Sequence, residues 1–157
     1  MKTIKILFFV CGTFLVPSNT MAQQQVPIGE AQKAAEQFIS KRKANKEPVV
    51  ENVYSLKREN HTLMYEVVFN DGQGVLLSGS KACQPVLGFY NVPAKGRSIF
   101  DDDNDDVPDG LKFMLGEYEA QITLCFKNDT ITLYHQSDWQ NIQETGALKQ
   151  ADKTNEN

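Results

Sequence analysis

Met64-Tyr-Glu-Val-Val-Phe-Asn-Asp-Gly-Gln-Gly-Val-Leu-Leu-Ser-Gly-Ser-Lys-Ala-Cys-Gln-Pro-Val-Leu-Gly-Phe-Tyr90 reads as three short β-strands with turn chemistry between them. Met64–Phe69 is aromatic and β-branched, which suits a pleated, half-buried surface. Asn70-Asp71-Gly72-Gln73-Gly74 tolerates positive φ and so predicts a tight reversal. Val75–Ser78 is a second apolar run that stops at Ser78-Gly79-Ser80. Pro85–Tyr90 is a third, headed by a proline that can open a strand but not sit inside a central one. Val49–Leu56 adds a fourth candidate strand upstream, joined through the polar Lys57–His61 loop.

Two helices flank this meander. Ala31, Ala34, Ala35, Phe38 and Ile39 recur at helical spacing and predict an amphipathic helix from Ile28 to about Arg42, with Pro48 blocking its continuation. The basic run Lys41-Arg42-Lys43 suits the negative end of that helix. Leu111, Met114, Leu115, Tyr118 and Ile122 form a second helical stripe, read as core, with Asp109 as its N-terminal cap. No helix separates the later strands. The pattern therefore predicts an α+β fold, an antiparallel meander of about four strands packed with an N-terminal and a C-terminal-side helix.

Beyond Ile122, Leu124–Tyr134 reads as a hairpin around Lys127-Asn128-Asp129 or as a helix extension followed by a strand; the hairpin is preferred. Ser137–Ile142 predicts a short capped turn whose Trp139 docks on the domain. Residues 143–157 read as a polar, disordered tail.

At the other end, Met1–Lys5 is basic, Ile6–Val16 apolar, and Thr20-Met21-Ala22 small-residue in character. That pattern predicts a signal peptide over residues 1–22 and a secreted or periplasmic protein. The apolar run is too short to span a bilayer, which needs about 20 residues. Cleavage after Ala22 would leave 157 − 22 = 135 residues and, with Lys2 and Lys5 gone, change the net charge from −4 to −6. An acidic chain without a basic cluster argues against nucleic acid and anionic membranes as partners.

The wording of the central stretch resembles the inhibitory prodomain of streptopain-type cysteine peptidases. The likeness lies in Tyr65-Glu-Val-Val-Phe-Asn70, a Gly-rich turn, Val75-Leu-Leu-Ser-Gly-Ser80 and Pro85-Val-Leu-Gly-Phe-Tyr90. It extends upstream to the Ala-rich helix ending in Phe38 and downstream to Leu111–Ile122, so it covers about residues 26–122. Ser80 departs from the family's usual Asp, and the acidic loop before the last helix is longer. The resemblance implies an inhibitor domain over residues 23–142 that occludes the cleft of a cognate streptopain-type cysteine peptidase. It also implies that the segment before the last helix faces the catalytic site, which nominates Asn104, Val107, Pro108, Asp109 and Gly110 as inhibitory contacts.

The chain itself offers little for catalysis. A cysteine peptidase needs a thiolate and a histidine to activate it. Cys83 sits in a strand link, Cys125 has no helix-opening or Gly-rich context, and His61 and His135 fall in polar segments. No enzyme activity and no cofactor are expected. Cys83 and Cys125 either pair as a disulfide in an oxidising compartment or stay as two buried thiols. The loop Asp101–Gly110 places Asp101, Asp103 and Asp105 at alternate positions of a calcium loop, but position six is Asp106 instead of Gly and position twelve is Lys112 instead of Glu. No metal is therefore expected there, and the acids favour the following helix N-terminus. Two other readings remain at this level: a non-enzymatic extracellular surface module using the acidic loop, and a truncated peptidase remnant.

Overall fold

The computed structural model describes residues 24–43, 47–128 and 135–148. The expected signal peptide and residues 149–157 lie outside them, as does most of the segment expected to form the second strand of a hairpin. The element order is α1 (Ile28–Arg42), β1 (Val50–Arg58), β2 (His61–Phe69), β3 (Gln73–Ser78), β4 (Val86–Asn91), α2 (Asp109–Lys127) and α3 (Gln136–Thr145). The four strands form one open antiparallel sheet in the order β1-β2-β3-β4, the α+β meander that the turn signals imply.

Side chains alternate across a pleated strand, so each strand serves two layers. On one face Tyr65, Val67 and Phe69 of β2 and Val75 and Leu77 of β3 meet Ala31, Ala34, Ala35, Phe38 and Ile39 of α1. Trp139 and Ile142 of α3 complete that cluster. Fully burying each large apolar group contributes about 1.5–3 kcal/mol. On the other face Met64 and Leu76 meet Ile99, Val107, Ile122 and Phe126, so α2 and the loop before it form the third layer.

The chain enters through a set of backbone bonds. Val26 N–H donates to Gly79 O at 2.8 Å and Lys81 N–H to Gln24 O at 2.7 Å. The Gln25 side chain donates to Thr62 O and Gly79 O and accepts from Thr62 N–H. Gly79 permits this crowding, since a Cβ there would stand 1.9 Å from Thr62 O. Ser80, the departure from the family's usual Asp, is wholly buried and its hydroxyl accepts from Ala82 N–H at 3.2 Å, a bond a carboxylate could also accept.

Four local expectations change. Helix α2 runs to Lys127, so Leu124–Lys127 is helix and the preferred hairpin does not form there; Ile122 and Phe126, one turn apart, are what keep it wound on the sheet. It opens at Asp109 behind an N-cap Pro108 with no side-chain cap, so Asp109 is not the cap residue. The expected capped turn is a ten-residue helix, α3, with Trp139 docked as anticipated at 1% exposure. It carries Gln143–Thr145, the start of the segment read as a disordered tail, and Leu148 still packs on the core. Gln143 Nε2 donates to Glu30 Oε1 of α1 at 2.9 Å, which gives the polar residue a reason to be helical.

The basic run at the end of α1 does more than complement the helix end. Arg42 lies over the rings of Phe38 and Phe89, at 4.5 and 5.1 Å from their centroids, while Lys43 pairs with Asp71.

Candidate functional site

Glu66 organises the segment that the resemblance singles out. It stands between Tyr65 and Val67 on β2, so alternation turns it away from the α1 face. The loop before α2 covers it, and it is wholly buried. A buried carboxylate is tolerated only when its oxygens are bonded. Oε2 accepts from Ser98 Oγ at 2.6 Å and from Ile99 N–H at 3.0 Å, and Oε1 accepts from Tyr90 O–H at 2.9 Å. Burial raises the Glu66 pKa and these three bonds pull it back, with the net direction upward. Burial and the Glu66 charge push the Tyr90 phenol far up as well, which keeps it a donor. Gly74 lies opposite Tyr90 across the β3–β4 ladder, and a Cβ there would come within 2.8 Å of the phenol ring. The absence of that Cβ leaves room for Tyr90 to cross to Glu66.

From this anchor the loop builds outward. Ser98 O accepts from Asn104 Nδ2 at 3.0 Å, and Asn104 Oδ1 accepts from Asp106 N–H at 3.2 Å. Asn104 N–H donates to Asp101 O and Val107 N–H to Asn104 O, so residues 98–107 form a chain of tight turns. Within 101–107 the two non-acidic positions are its pegs: Asn104 is fully buried and Val107 is 2% exposed. Neither presents a side chain to a partner, so of the five nominated contacts these two are supports. Pro108, Asp109 and Gly110 are exposed, together with Asp101, Asp102, Asp103, Asp105 and Asp106. The structure thus brings the exposed nominees together on one rigid acidic ridge that ends at the N-terminus of α2.

The helix continues that surface. Of its 19 residues only Ile122 and Phe126 are fully buried, with Leu111, Leu115 and Tyr118 half-buried against the sheet. Tyr118 O–H donates to Leu87 O at 3.0 Å and so fixes the helix over β4. Phe113, Met114 and Leu124 are 69%, 47% and 65% exposed. Met114, read as core, faces outward. Beside the ridge a groove of about 230 Å³ lies between β1 and α2, with Leu56, Phe100 and Leu115 in its walls and the Arg58–Glu119 ion pair at 2.7 Å among its lining residues.

The remaining chemistry is engaged elsewhere. Cys83 and Cys125 face each other with their sulfurs 3.3 Å apart. His61 stacks on Phe126 with ring centroids 4.3 Å apart, and His135 Nδ1 lies 2.6 Å from Asp138 Oδ2. Among the described residues no group of three or more His, Cys, Asp or Glu converges as a metal site. In the acidic loop Asp101 accepts from Ser98 N–H and Asp103 pairs with Arg97, so the alternate acids of the calcium pattern are directed to different partners.

Sequence reasoning missed Glu66, Tyr90 and Ser98 as the support of the ridge. The available signal was an acid in the middle of the most apolar strand, opposite a strand that pairs Gly74 with Tyr90.

No curated protein and no solved structure matches this chain. The family model of the Spi protease inhibitors matches residues 23–122, a span that contains α1, the whole sheet, the acidic ridge and most of α2. By that match over more than half its length, the chain belongs to the Spi protease inhibitor family.

Proposed function

We propose that this protease inhibitor acts on a streptopain-type cysteine peptidase, outside the cytoplasm, by setting the exposed ridge 101–110 and the adjoining turn of α2 across the substrate cleft. The observation that carries the reading is the ridge itself: its inner residues are locked through Ser98 and Asn104 to a buried carboxylate, while its outer residues are exposed carboxylates. A loop already held in one shape loses little conformational entropy on binding, which favours inhibition by a free-standing domain. A standard interface of about 1,600 Å² would seat it. Phe113 and Met114 supply apolar area beside the acids, and Asp105, Asp106 and Asp109 supply attraction to a basic rim. The resemblance of residues 26–122 to streptopain-type prodomains supports the peptidase class, and the pattern of Met1–Ala22 supports export.

The test is titration of the purified protein against a streptopain-type cysteine peptidase and, in parallel, a serine peptidase. Stoichiometric, reversible inhibition of the cysteine enzyme alone is expected. Replacing Asp105, Asp106 and Asp109 together by Asn should slow association at low salt and leave the melting temperature near wild type. Inhibition confined to the serine enzyme, or a triple variant that associates at the wild-type rate, would overturn the class or the surface respectively.

A further inference from the structure

Cys83 lies in the link between β3 and β4, and Cys125 in the last turns of α2, 42 residues further along the chain. Their side chains nevertheless meet: the Cys83 S–H donates to the Cys125 sulfur at 3.3 Å. The link is held in place from both sides, since Cys83 N–H donates to Ser80 O and Trp139 Nε1 donates to Cys83 O at 3.1 Å. Two sulfurs this close on two well-anchored elements need only small side-chain rotations to bond. The C-terminal half of α2 carries the two fully buried residues of the helix, Ile122 and Phe126, so Cys125 is borne on a turn already held against the sheet.

We propose that Cys83 and Cys125 form a disulfide that fastens α2 to the β3–β4 link, and that its reduction loosens the helix bearing the inhibitory surface. The first half stands on the geometry alone; the second rests on the proposed function.

The oxidant is a disulfide, either an oxidised low-molecular-weight thiol or the active-site disulfide of a dithiol oxidoreductase. A Cys125 thiolate attacks one sulfur of that disulfide, forming a mixed disulfide and releasing the other sulfur as a thiolate. Cys83 then gives up its proton and attacks the Cys125 sulfur, expelling the second acceptor thiolate. Two protein thiols lose two protons and two electrons, and the acceptor becomes two thiols. Burial, and then the neighbouring Cys125, push the Cys83 thiol up to about 12. Such a thiol is a poor first attacker, but it suits the second step, where contact with Cys125 supplies a high local concentration and a less acidic thiolate is the stronger nucleophile. A cysteine peptidase works through a thiolate and so is active under reducing conditions, the same conditions that open this bridge.

The experiment equilibrates the purified protein with a buffer of reduced and oxidised glutathione, blocks free thiols with an alkylating agent and measures the intact mass. Expected is a species with no alkyl groups whose digest contains linked Cys83 and Cys125 peptides. Complete alkylation of both residues across oxidising mixtures would overturn the proposal. Reduction should lower the melting temperature of wild type by several degrees and leave Cys125→Ser and Cys83→Ala unchanged; equal sensitivity of all three would overturn the tether. Finally, Cys125→Ser should dissociate from the cysteine peptidase at least threefold faster than the oxidised wild type. A linked protein whose Cys125→Ser variant dissociates at the wild-type rate defeats the coupling to inhibition, whereas a linked protein that inhibits no cysteine peptidase defeats the functional reading and leaves the disulfide standing.

Discussion

The two faces of the sheet are built to different rules. The face under α1 and α3 is dry: fourteen buried residues form one cluster, and Tyr65 and Trp139, the two with polar ends, donate to Val26 O at 2.7 Å and to Cys83 O at 3.1 Å. The face under α2 has half as many, seven, and it encloses a full carboxylate. Helix α1 spends its apolar stripe on the core, while α2 leaves Phe113, Met114 and Leu124 in solvent. One face holds the domain together, and the other gives up packing so that a shaped, charged surface can be presented.

If that division is right, substitutions should separate by face. The largest loss is expected for Trp139→Ala on the dry side, about 3–5 kcal/mol from the cavity left by a 1%-exposed indole. Denaturant unfolding would measure it, and a loss below about 1 kcal/mol would mean that α3 is not integral to the fold. Next, Glu66→Ala should cost about 2–3 kcal/mol, because Ser98 Oγ, Ile99 N–H and Tyr90 O–H lose their acceptor together. It should also speed amide exchange at Ile99, Asp106 and Val107 far more than in β2; uniform acceleration would show that Glu66 supports the whole domain and not the ridge.

Glu66→Gln is a finer probe. Its amide keeps the shape, accepting from Ser98 and Ile99 and donating to the Tyr90 oxygen. Because the folded-state pKa of Glu66 is raised, the folded form holds the proton more tightly than the unfolded chain does. That contribution is fully present below the unfolded value of about 4.5 and is lost as pH rises through the folded value. The melting temperature of wild type relative to Glu66→Gln should therefore fall over this window, and a flat difference would place Glu66 in water. The smallest effect on stability is expected for Phe113→Ala, within about 0.5 kcal/mol, although inhibition should weaken more than tenfold, about 1.4 kcal/mol. A Phe113→Ala variant that inhibits like wild type would remove α2 from the binding surface.

The dry face was the legible one. Its strands alternate, its turns carry Gly72 and Gly74, and α1 shows its stripe from Ala31 to Ile39, so local pattern and tertiary packing agree. The other face depends on a loop meeting a strand more than 30 residues away, and local periodicity carries no record of that meeting. Glu66 looks like a solvent residue until Ser98 covers it. Asn104 and Val107 look like contacts because the resemblance places their segment toward the catalytic site, yet both point inward. Helix α2 was cut short in the reading because Lys127-Asn128-Asp129 resembles a turn, although Ile122 and Phe126 already repeat at one helical turn. The same physics therefore decided both faces, but only one of them wrote it within a window of adjacent residues.

The bonds made by Gln25 carry a consequence for how the chain can be trimmed. Its side chain joins Thr62 to Gly79, and Val26 behind it closes on Gly79 and Tyr65, so these two residues act as an extra lace across the end of β2 and β3. A cut just before Gln24 leaves the lace whole; a cut after Val26 removes it and exposes a buried Gly79 carbonyl. Any N-terminal trimming of this chain thus has a last permissible position, just before Gln24 and ahead of the first helix.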